Sequence, residues 1–166
     1  MKLTGALDED RTQILHFIAE ICHKLNKIEE TYKYYEEILK TNQNDLVALN
    51  NYAYFLSLEK KELKKALEMS AKTIKVEAKN STYLDTYAYI LFELERYTEA
   101  LKYIELAILN GGGNNGVILE HYGDILYKNG QIDLAVTTWQ EALEKGQDTE
   151  ILRYKIENKT YIDQID

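Results

Sequence analysis

The sequence repeats itself four times at an interval of 34 to 35 residues. Two columns of residues follow this interval, one of leucines and one of small residues. They are Leu15, Leu49, Leu84 and Leu119 in the first column, and Ala19, Ala53, Ala88 and Gly123 in the second. Repeats of this length fold as small helical units that bury their apolar faces only by stacking on a neighbour. The interval therefore predicts an all-α solenoid, and it favours a binding function over a catalytic one.

Each repeat is predicted to form two amphipathic helices joined by a short turn. In the third repeat, residues 82–94 carry apolar side chains at i, i+3, i+4 and i+7, the spacing of a helix with one buried face. Residues 97–108 show the same spacing after a turn at Glu95 and Arg96. Small residues also recur in the second helices, where the paired helices are expected to approach most closely. They are Ala66, Ala100 and Ala135, whereas the first repeat has Thr31 at this position.

The same alignment divides the chain into a lead-in, four repeats and a capping helix. The predicted boundaries are 1–11 for the lead-in; 12–45, 46–80, 81–115 and 116–149 for the repeats; and 150–166 for the capping helix. A terminal helix is needed because the last repeat would otherwise expose its apolar face to water. The glycine-rich segment 111–116 is interpreted as a turn between repeats rather than a phosphate-binding loop, because no strand precedes it and no Lys-Ser or Lys-Thr pair follows it.

The first repeat is predicted to lack a comparable cover. Its first helix carries Ile14, Phe17 and Ile21, and the preceding residues offer little apolar surface with which to bury them. Two explanations are open at this point. Either the chain is the C-terminal part of a longer solenoid, or it forms a homodimer through the first repeat.

Composition and charge narrow the classes of function. The net charge of −8 argues against nucleic-acid binding, which requires an excess of Lys and Arg on one face. No stretch approaches the roughly 18 apolar residues of a transmembrane helix, and the first residues lack the apolar core of a secretory signal. The compartment is left open between the cell envelope, if the chain is a piece of a longer exported protein, and the cytoplasm.

The fourth repeat carries the residue pattern of a known family. The matching residues are Leu119, the pair Tyr122-Gly123, Leu126, Gly130 at the turn, Ala135, Trp139 and Ala142. On this pattern the chain resembles the tetratricopeptide repeat family over residues 12–149, although it lacks the proline that usually closes a repeat. Its last repeats are also similar to the C-terminal part of long bacterial cell-envelope proteins of this family. The resemblance implies a right-handed α-α superhelix of four helical hairpins that serves as a scaffold for protein binding.

In this family the first helices of successive repeats line a concave groove, so the resemblance implies a groove on their side opposite the packing columns. The candidate partner-binding residues on that side are His16, Phe17, Glu20, Asn50, Asn51, Tyr54, Asp85, Tyr89, Phe92, Glu120, His121, Asp124 and Tyr127. Partly exposed aromatic rings suit anchors for a peptide or helix, and packing is the alternative role for so many tyrosines. Acidic groups outnumber basic ones here, which favours a partner with basic and apolar residues.

The sequence predicts no enzyme. His16, His23 and His121 lack the i, i+4 pairing around a glutamate that zinc hydrolase helices use. For the neighbours Glu120, His121 and Asp124, a solvated or partner-contacting role is favoured over a metal or acid–base site. No catalytic residue, metal site or cofactor is therefore predicted. The leading hypothesis is a non-catalytic module that binds a peptide or helix of another protein, and the alternative is a structural segment for assembly or self-association.

Overall fold

The computed structural model describes the backbone of residues 3–165 and the side chains of residues 10–165. Within that range the chain forms nine α-helices and one short 3-10 turn, and it contains no β-strand. The helices are α1 (Leu3–Lys24), α2 (Ile28–Thr41), α3 (Leu46–Leu58), α4 (Leu63–Val76), α5 (Ser81–Glu93), α6 (Tyr97–Leu109), α7 (Gly116–Lys128), α8 (Ile132–Glu144) and α9 (Glu150–Asn158). Successive helices pair as hairpins, and the prediction of an all-α solenoid is confirmed.

Regularly spaced polar residues set where the helices begin. Asp45, Asn80 and Asn115 precede α3, α5 and α7, and each side chain accepts a hydrogen bond from a backbone N–H of the first turn. Thr149 caps α9 in the same way. Because these N–H groups have no partner within the helix, the caps stabilise each helix start. The repeat interval therefore governs helix initiation as well as packing.

Two residues after the end of the first helix of each hairpin lies a residue with left-handed backbone geometry. These residues are Asn26, Lys60, Glu95 and Gly130. After each of them, the next N–H bonds to the carbonyl five positions back, as Gln131 does to Leu126 at 3.0 Å. This Schellman motif satisfies a free carbonyl and turns the chain towards the second helix. The turn between α3 and α4 has one residue more than the other three, and it includes a second left-handed residue, Glu62.

The predicted columns of small residues form the centre of the core. Ala19, Ala53, Ala88, Ala66, Ala100 and Ala135 are all completely buried. At Gly123 the helices approach so closely that a Cβ atom would lie 2.3 Å from Cδ1 of Trp139. Leu67 joins the core of the first two hairpins to that of the third, and Ile108 joins the third to the last. The core thus runs without a break along the solenoid.

The lead-in predicted at 1–11 is different in the structure, because α1 begins at Leu3 and is 22 residues long. Neither a proline nor a C-capping turn separates these residues from the first repeat, so the helix continues through them. Met1 and Lys2 lie outside the described residues.

The capping helix is shorter than the predicted range 150–166. It ends at Asn158, because Lys159 adopts left-handed geometry and the N–H of Thr160 bonds to the carbonyl of Lys155 at 3.2 Å. Leu152 of this helix is completely buried and packs with Trp139 in the core of the last hairpin. Residues 159–165, called the C-terminal segment below, are not helical, and Asp166 lies outside the described residues.

Candidate binding groove

The first helices α3, α5 and α7 lie side by side, and their outward faces form a groove with two adjoining cavities. One cavity, of about 320 Å³, is bordered by Tyr89 and by acidic residues of α7. The other, of about 280 Å³, is bordered by Asn50, Asn51 and Asp85. Tyr54 borders both cavities, so they form one continuous surface across three repeats.

A stack of aromatic rings lies at the middle of the groove. The ring of Tyr89 stacks on the imidazole of His121 with centroids 4.4 Å apart, and Tyr54 lies 5.9 Å from Tyr89 and 6.1 Å from His121. Burial raises the pKa of the Tyr54 and Tyr89 hydroxyls above the ordinary value for tyrosine. Both phenols therefore stay neutral at physiological pH and keep a proton that they can donate.

His121 also pairs with Asp85 of the neighbouring repeat. Its Nδ1 lies 2.9 Å from Oδ1 of Asp85, and both side chains are buried. Burial by itself lowers the pKa of a histidine, but the adjacent carboxylate outweighs it, and the pKa of His121 is raised above its ordinary value. The pair ties α5 to α7 beneath the aromatic stack.

The acidic residues of α7 are paired with a lysine of the same chain. Lys155 of α9 is only 3% exposed, and its Nζ donates to both carboxylate oxygens of Asp124 at 2.7 and 2.8 Å and to Glu120 at 2.9 Å. Glu120 also accepts from Nε2 of Gln147 at 2.8 Å, and Asp124 accepts from the indole N–H of Trp139 at 2.9 Å. Each buried charge is thus paired and hydrogen-bonded.

The protonation of this cluster follows from its burial and pairing. Burial opposes the charge on Lys155, yet the two carboxylates outweigh it and raise the pKa of the lysine. Burial likewise opposes the charge on Glu120, but Lys155 and Gln147 hold the pKa of that carboxyl below its ordinary value. For Asp124 burial is dominant and raises the pKa to about 6. At neutral pH all three groups are therefore charged.

The C-terminal segment covers the remaining part of α7 and the end of α5. The ring of Tyr161 lies 5.5 Å from that of Phe92 and 6.4 Å from that of Tyr127. Phe92 is almost completely buried, and the ring of Tyr127 also stacks on that of Trp139, with centroids 5.8 Å apart. These two candidate anchors are therefore occupied by groups of the same chain.

The first repeat contributes a separate part of the surface. Nε2 of His16 lies 3.3 Å from Oδ1 of Asp45. His16 also borders two cavities, which extend to Phe17, Glu20 and Val47. Phe17 is 69% exposed, and the side chain of Glu20 is exposed too. These side chains lie at the amino-terminal end of the groove, away from the aromatic stack.

The structure thus places the sequence-predicted residues in three groups. Those of α3, α5 and α7 meet around the aromatic stack, those of α1 lie apart from it, and Phe92 and Tyr127 lie under the C-terminal segment. Sequence reasoning missed Lys155, Tyr161 and Asp163, which lie after the last repeat. One signal was visible for the first of them, because Lys155 interrupts the apolar stripe that Leu152 and Ile156 begin on α9.

No group of three or more His, Cys, Asp and Glu side chains in residues 10–165 is arranged to hold a metal ion. None of the helices described is both long enough and apolar enough to cross a membrane.

Comparison with known proteins relates this arrangement to a family. The family model for the tetratricopeptide repeat matches residues 6–147. No curated protein sequence matches the chain. Many solved structures do share its fold, at low sequence identity.

Three of these structures illustrate the likeness. A thermophilic tetratricopeptide repeat protein of Thermus thermophilus has a TM-score of 0.74 at 14% identity, with 89% of this chain and 80% of that chain covered. PilF of Pseudomonas aeruginosa has a TM-score of 0.77 at 16% identity, with 92% and 68% covered. YrrB, described as a tetratricopeptide repeat protein with an unusual peptide-binding site, has a TM-score of 0.63 at 18% identity, with 96% and 82% covered.

These neighbours show the fold, and the family model covers most of the chain. The family assignment agrees with the periodic columns of residues, with the helical hairpins and with the groove on the first helices. The chain therefore belongs to the tetratricopeptide repeat family, whose helical solenoids are typical scaffolds for protein–protein interaction and are generally non-catalytic.

Proposed function

We propose that this protein is a non-catalytic interaction module that binds a peptide segment of another protein along α1, α3 and α5. The observation that carries the proposal is Asn50, which borders the 280 Å³ cavity and is 3% exposed. Its side-chain oxygen has no hydrogen-bond partner among the described residues. A buried acceptor without a partner costs about 1 to 3 kcal/mol, so an N–H group of a bound peptide would stabilise it.

The face of α3 supplies a continuous contact line for such a peptide. Val47, Asn50, Asn51 and Tyr54 are spaced i, i+3, i+4 and i+7, and therefore lie on one side of the helix. This line joins the cavities beside α1 to the cavity beside α5. Amide side chains can pair with both the N–H and the C=O of a peptide backbone, which favours an extended segment over a helix whose backbone groups are already paired.

The chemistry of the surface favours a partner with basic and apolar residues. Phe17 and Val47 offer exposed apolar area, and Glu20 adds an exposed negative charge beside them. Lys155 already compensates part of the negative charge of the acidic pair on α7 and occupies its oxygens, so a partner's Lys or Arg would be attracted instead to the exposed Glu20 in the amino-terminal half of the groove. Among the structural neighbours, YrrB has a peptide-binding site by its description, and we extend peptide binding to this chain on the strength of its own groove.

The proposal is tested with labelled nine-residue peptides that place Lys beside Leu or Phe, compared with peptides in which Glu replaces Lys. We expect the basic peptides to bind the wild-type protein more tightly in fluorescence anisotropy. The variant Asn50→Ala should weaken binding by about tenfold, the loss of one buried hydrogen bond. The substitution removes the unpaired oxygen, which is unfavourable, together with the hydrogen bond that Nδ2 of Asn50 donates to Oδ1 of Asn51 at 3.2 Å, which is favourable, so the thermal midpoint should change little.

Asn44→Ala, at an exposed position in the loop before α3, is the matched control and should bind as the wild type does. If both asparagine variants bind alike, or if acidic peptides bind as well as basic ones, the peptide-binding proposal is wrong.

A second function, self-association of two copies through α1, is favoured by a separate observation. Ile14, Phe17 and Ile21 of α1 and Leu25 directly after it are all more than half exposed, and their spacing places them along one side of the helix. Two copies of α1 packed against each other would bury this apolar stripe.

Sedimentation equilibrium over a wide concentration range tests this second function. The wild type should form dimers, and the double variant Ile14→Glu with Ile21→Glu should be monomeric at every concentration. A wild type that stays monomeric throughout would rule out self-association and leave the peptide-binding proposal unaffected.

A further inference from the structure

The C-terminal segment follows a defined path across the groove. The hydroxyl of Thr160 lies 3.2 Å from that of Tyr127 in the fourth repeat. The ring of Tyr161 meets Phe92 in the third repeat, and Asp163 meets Lys60 in the second, with an Nζ–Oδ2 distance of 2.8 Å. The segment thus contacts three successive repeats in reverse order, as a bound peptide running against the direction of the solenoid would.

An aromatic subsite receives the side chain of Tyr161. The ring packs edge-on against Phe92, with an interplanar angle of 69°, and Lys128 places its Nζ 4.4 Å from the ring centroid. Tyr127 forms another side of this subsite. Edge-on ring contacts and a cation above the ring face are the arrangements that aromatic side chains prefer, so the subsite is suited to an aromatic residue.

A basic subsite lies two residues further along the segment. Lys60, at the end of α3, is held 3.3 Å from Glu93 and 2.8 Å from Asp163. The hydroxyl of Tyr161 donates a hydrogen bond to the carboxylate of Asp163. The aromatic ring and the carboxylate two positions later thus occupy neighbouring subsites, one at Phe92 and one at Lys60.

The attachment of the segment is weak in comparison with that of α9. The side chains of Lys60 and Asp163 are 53% and 49% exposed, and ion pairs with this exposure contribute little to stability. A cavity of about 220 Å³ remains between the segment and Lys60, Phe92 and Tyr97. Leu152 and Lys155, in contrast, are buried and anchor α9 independently. The segment can therefore leave the groove while the capping helix stays in place.

We propose that the C-terminal segment is an internal ligand of the groove. In this view it blocks a second peptide site, which accepts from a partner an aromatic residue followed two positions later by Asp or Glu. This inference rests on the proposed peptide-binding function and adds a second site to it, in the carboxyl-terminal half of the groove. A covalently attached segment competes at a local concentration of about millimolar, so a partner must bind tightly or the segment must first be released.

The test uses the full chain and a synthetic peptide with the sequence of residues 158–166, NKTYIDQID. In the double variant Tyr161→Ala with Asp163→Ala, the internal competitor is disabled and the site beneath it is intact. We expect this variant to bind the labelled peptide at least about tenfold more tightly than the wild type does in fluorescence anisotropy. A peptide with Ala in place of Tyr161 and Asn in place of Asp163 should bind neither protein.

Ile165→Ala, at an exposed position of the same segment, is the matched control and should bind the peptide as weakly as the wild type. Adding Lys60→Ala to the double variant should weaken peptide binding severalfold by removing the basic subsite. Thermal unfolding and circular dichroism of each variant identify any that has lost its fold. If a variant has lost its fold, hydrogen exchange of residues 159–165 in the wild type serves as the test instead. Protection of these backbone amides equal to that of the core amides would contradict a segment that can leave the groove.

The inference is overturned if the folded double variant and the wild type bind the peptide alike. This result would not affect binding of the basic peptides that depends on Asn50. Conversely, loss of Asn50-dependent binding with retained binding of NKTYIDQID would overturn the first site and keep the second. A rise in molecular mass with concentration, abolished by Tyr161→Ala, would instead assign the site to the C-terminal segment of a second copy.

Discussion

At the scale of single residues, Lys155 determines how much negative charge the carboxyl-terminal half of the groove offers to a partner. It is buried, and it pairs with Asp124 and Glu120, two residues that the sequence predicts to contact a partner, and compensates part of their negative charge. Removing one member of such a buried ion pair leaves an uncompensated charge, so the cluster depends on all three side chains. The surface that is free to attract a basic partner is correspondingly smaller and lies nearer the amino terminus.

Gly123 is the residue at which a single methyl group should matter most. In Gly123→Ala the new Cβ would lie within 2.4 Å of two atoms of Trp139, which is completely buried and holds Asp124 through its indole N–H. We expect overpacking to lower the free energy of unfolding by about 1 to 3 kcal/mol, measured by denaturant titration. Gly113→Ala, where the nearest side-chain atom is 3.8 Å away, is the control. Equal stability of the two variants would contradict the close approach.

His121 should make stability depend on pH. Asp85 raises the pKa of His121 in the folded state. The contribution of His121 to the free energy of unfolding is therefore fully present below about pH 6.5, its pKa in the unfolded chain, and is lost as the pH rises through its pKa in the folded protein. Asp124, with its pKa raised to about 6, acts with the same sign at lower pH, between about 4 and 6. The free energy of unfolding should therefore fall as the pH rises through this range.

The variant His121→Asn separates the two contributions in denaturant titrations at a series of pH values. In this variant the free energy of unfolding should no longer fall with rising pH above about pH 6.5, and it should still fall between about pH 4 and 6, where Asp124 titrates. His23→Asn is the control, since burial lowers the pKa of His23 and its titration has the opposite sign. An unchanged slope above pH 6.5 in His121→Asn would show that the pair with Asp85 does not govern it.

At the scale of the helices, starts and ends are built from local signals that recur with the repeat. Side-chain caps begin α3, α5, α7 and α9, and a left-handed residue ends the first helix of each hairpin. Only one of these four left-handed positions is glycine, namely Gly130. At the other three, the side chain is held in a backbone geometry that costs about 1 to 2 kcal/mol for a residue with a Cβ atom.

Glu95→Gly should therefore stabilise the protein. Glycine relieves the left-handed strain and loses part of that gain through the greater entropy of the unfolded chain, so we expect a net gain of about 0.5 to 1 kcal/mol. The measurement is the midpoint of urea unfolding. Glu95→Ala removes the same charge and keeps the strain, and it should give no comparable gain. Equal gains in both variants would assign the effect to charge.

At the scale of the whole molecule, stability is distributed along a row of hairpins that contact only their neighbours. Shared residues such as Leu67 and Ile108 join successive parts of the core, and α9 covers the last hairpin. In such an array a local defect is felt mainly by the adjacent repeats. The carboxyl-terminal end is closed by α9, whereas the apolar stripe on α1 is exposed.

Leu152→Ala tests this linear arrangement. Leu152 is completely buried under the last hairpin, so its truncation should cost about 2 to 5 kcal/mol locally. Hydrogen exchange should accelerate in α7 and α8 and remain slow in α3 and α4. Tyr154→Ala, on the exposed side of the same helix, is the control. Uniform acceleration along the chain would show that the protein unfolds as one unit.

Much of the fold could be predicted from the sequence because the relevant signals are local and repeated. The alanine column, the turn at Gly130 and the helical spacing in 82–94 each report on neighbours within one or two repeats. The ends were predicted less well. The stop at Asn158 depends on a single left-handed residue, Lys159, and the helical residues before position 12 lie outside the repeat interval, so no repeat reinforces either feature.

For the groove, the sequence by itself determined which helix faces are available, since the repeat interval restricts each hairpin to one way of packing on the next. Only the tertiary structure decided what occupies them. Lys155 meets Asp124 across 31 residues, and Asp163 meets Lys60 across 103. Contacts of such separation leave no periodic trace in the chain. They form because the return of the C-terminal segment brings opposite charges and aromatic rings together on a surface that the repeats had already built.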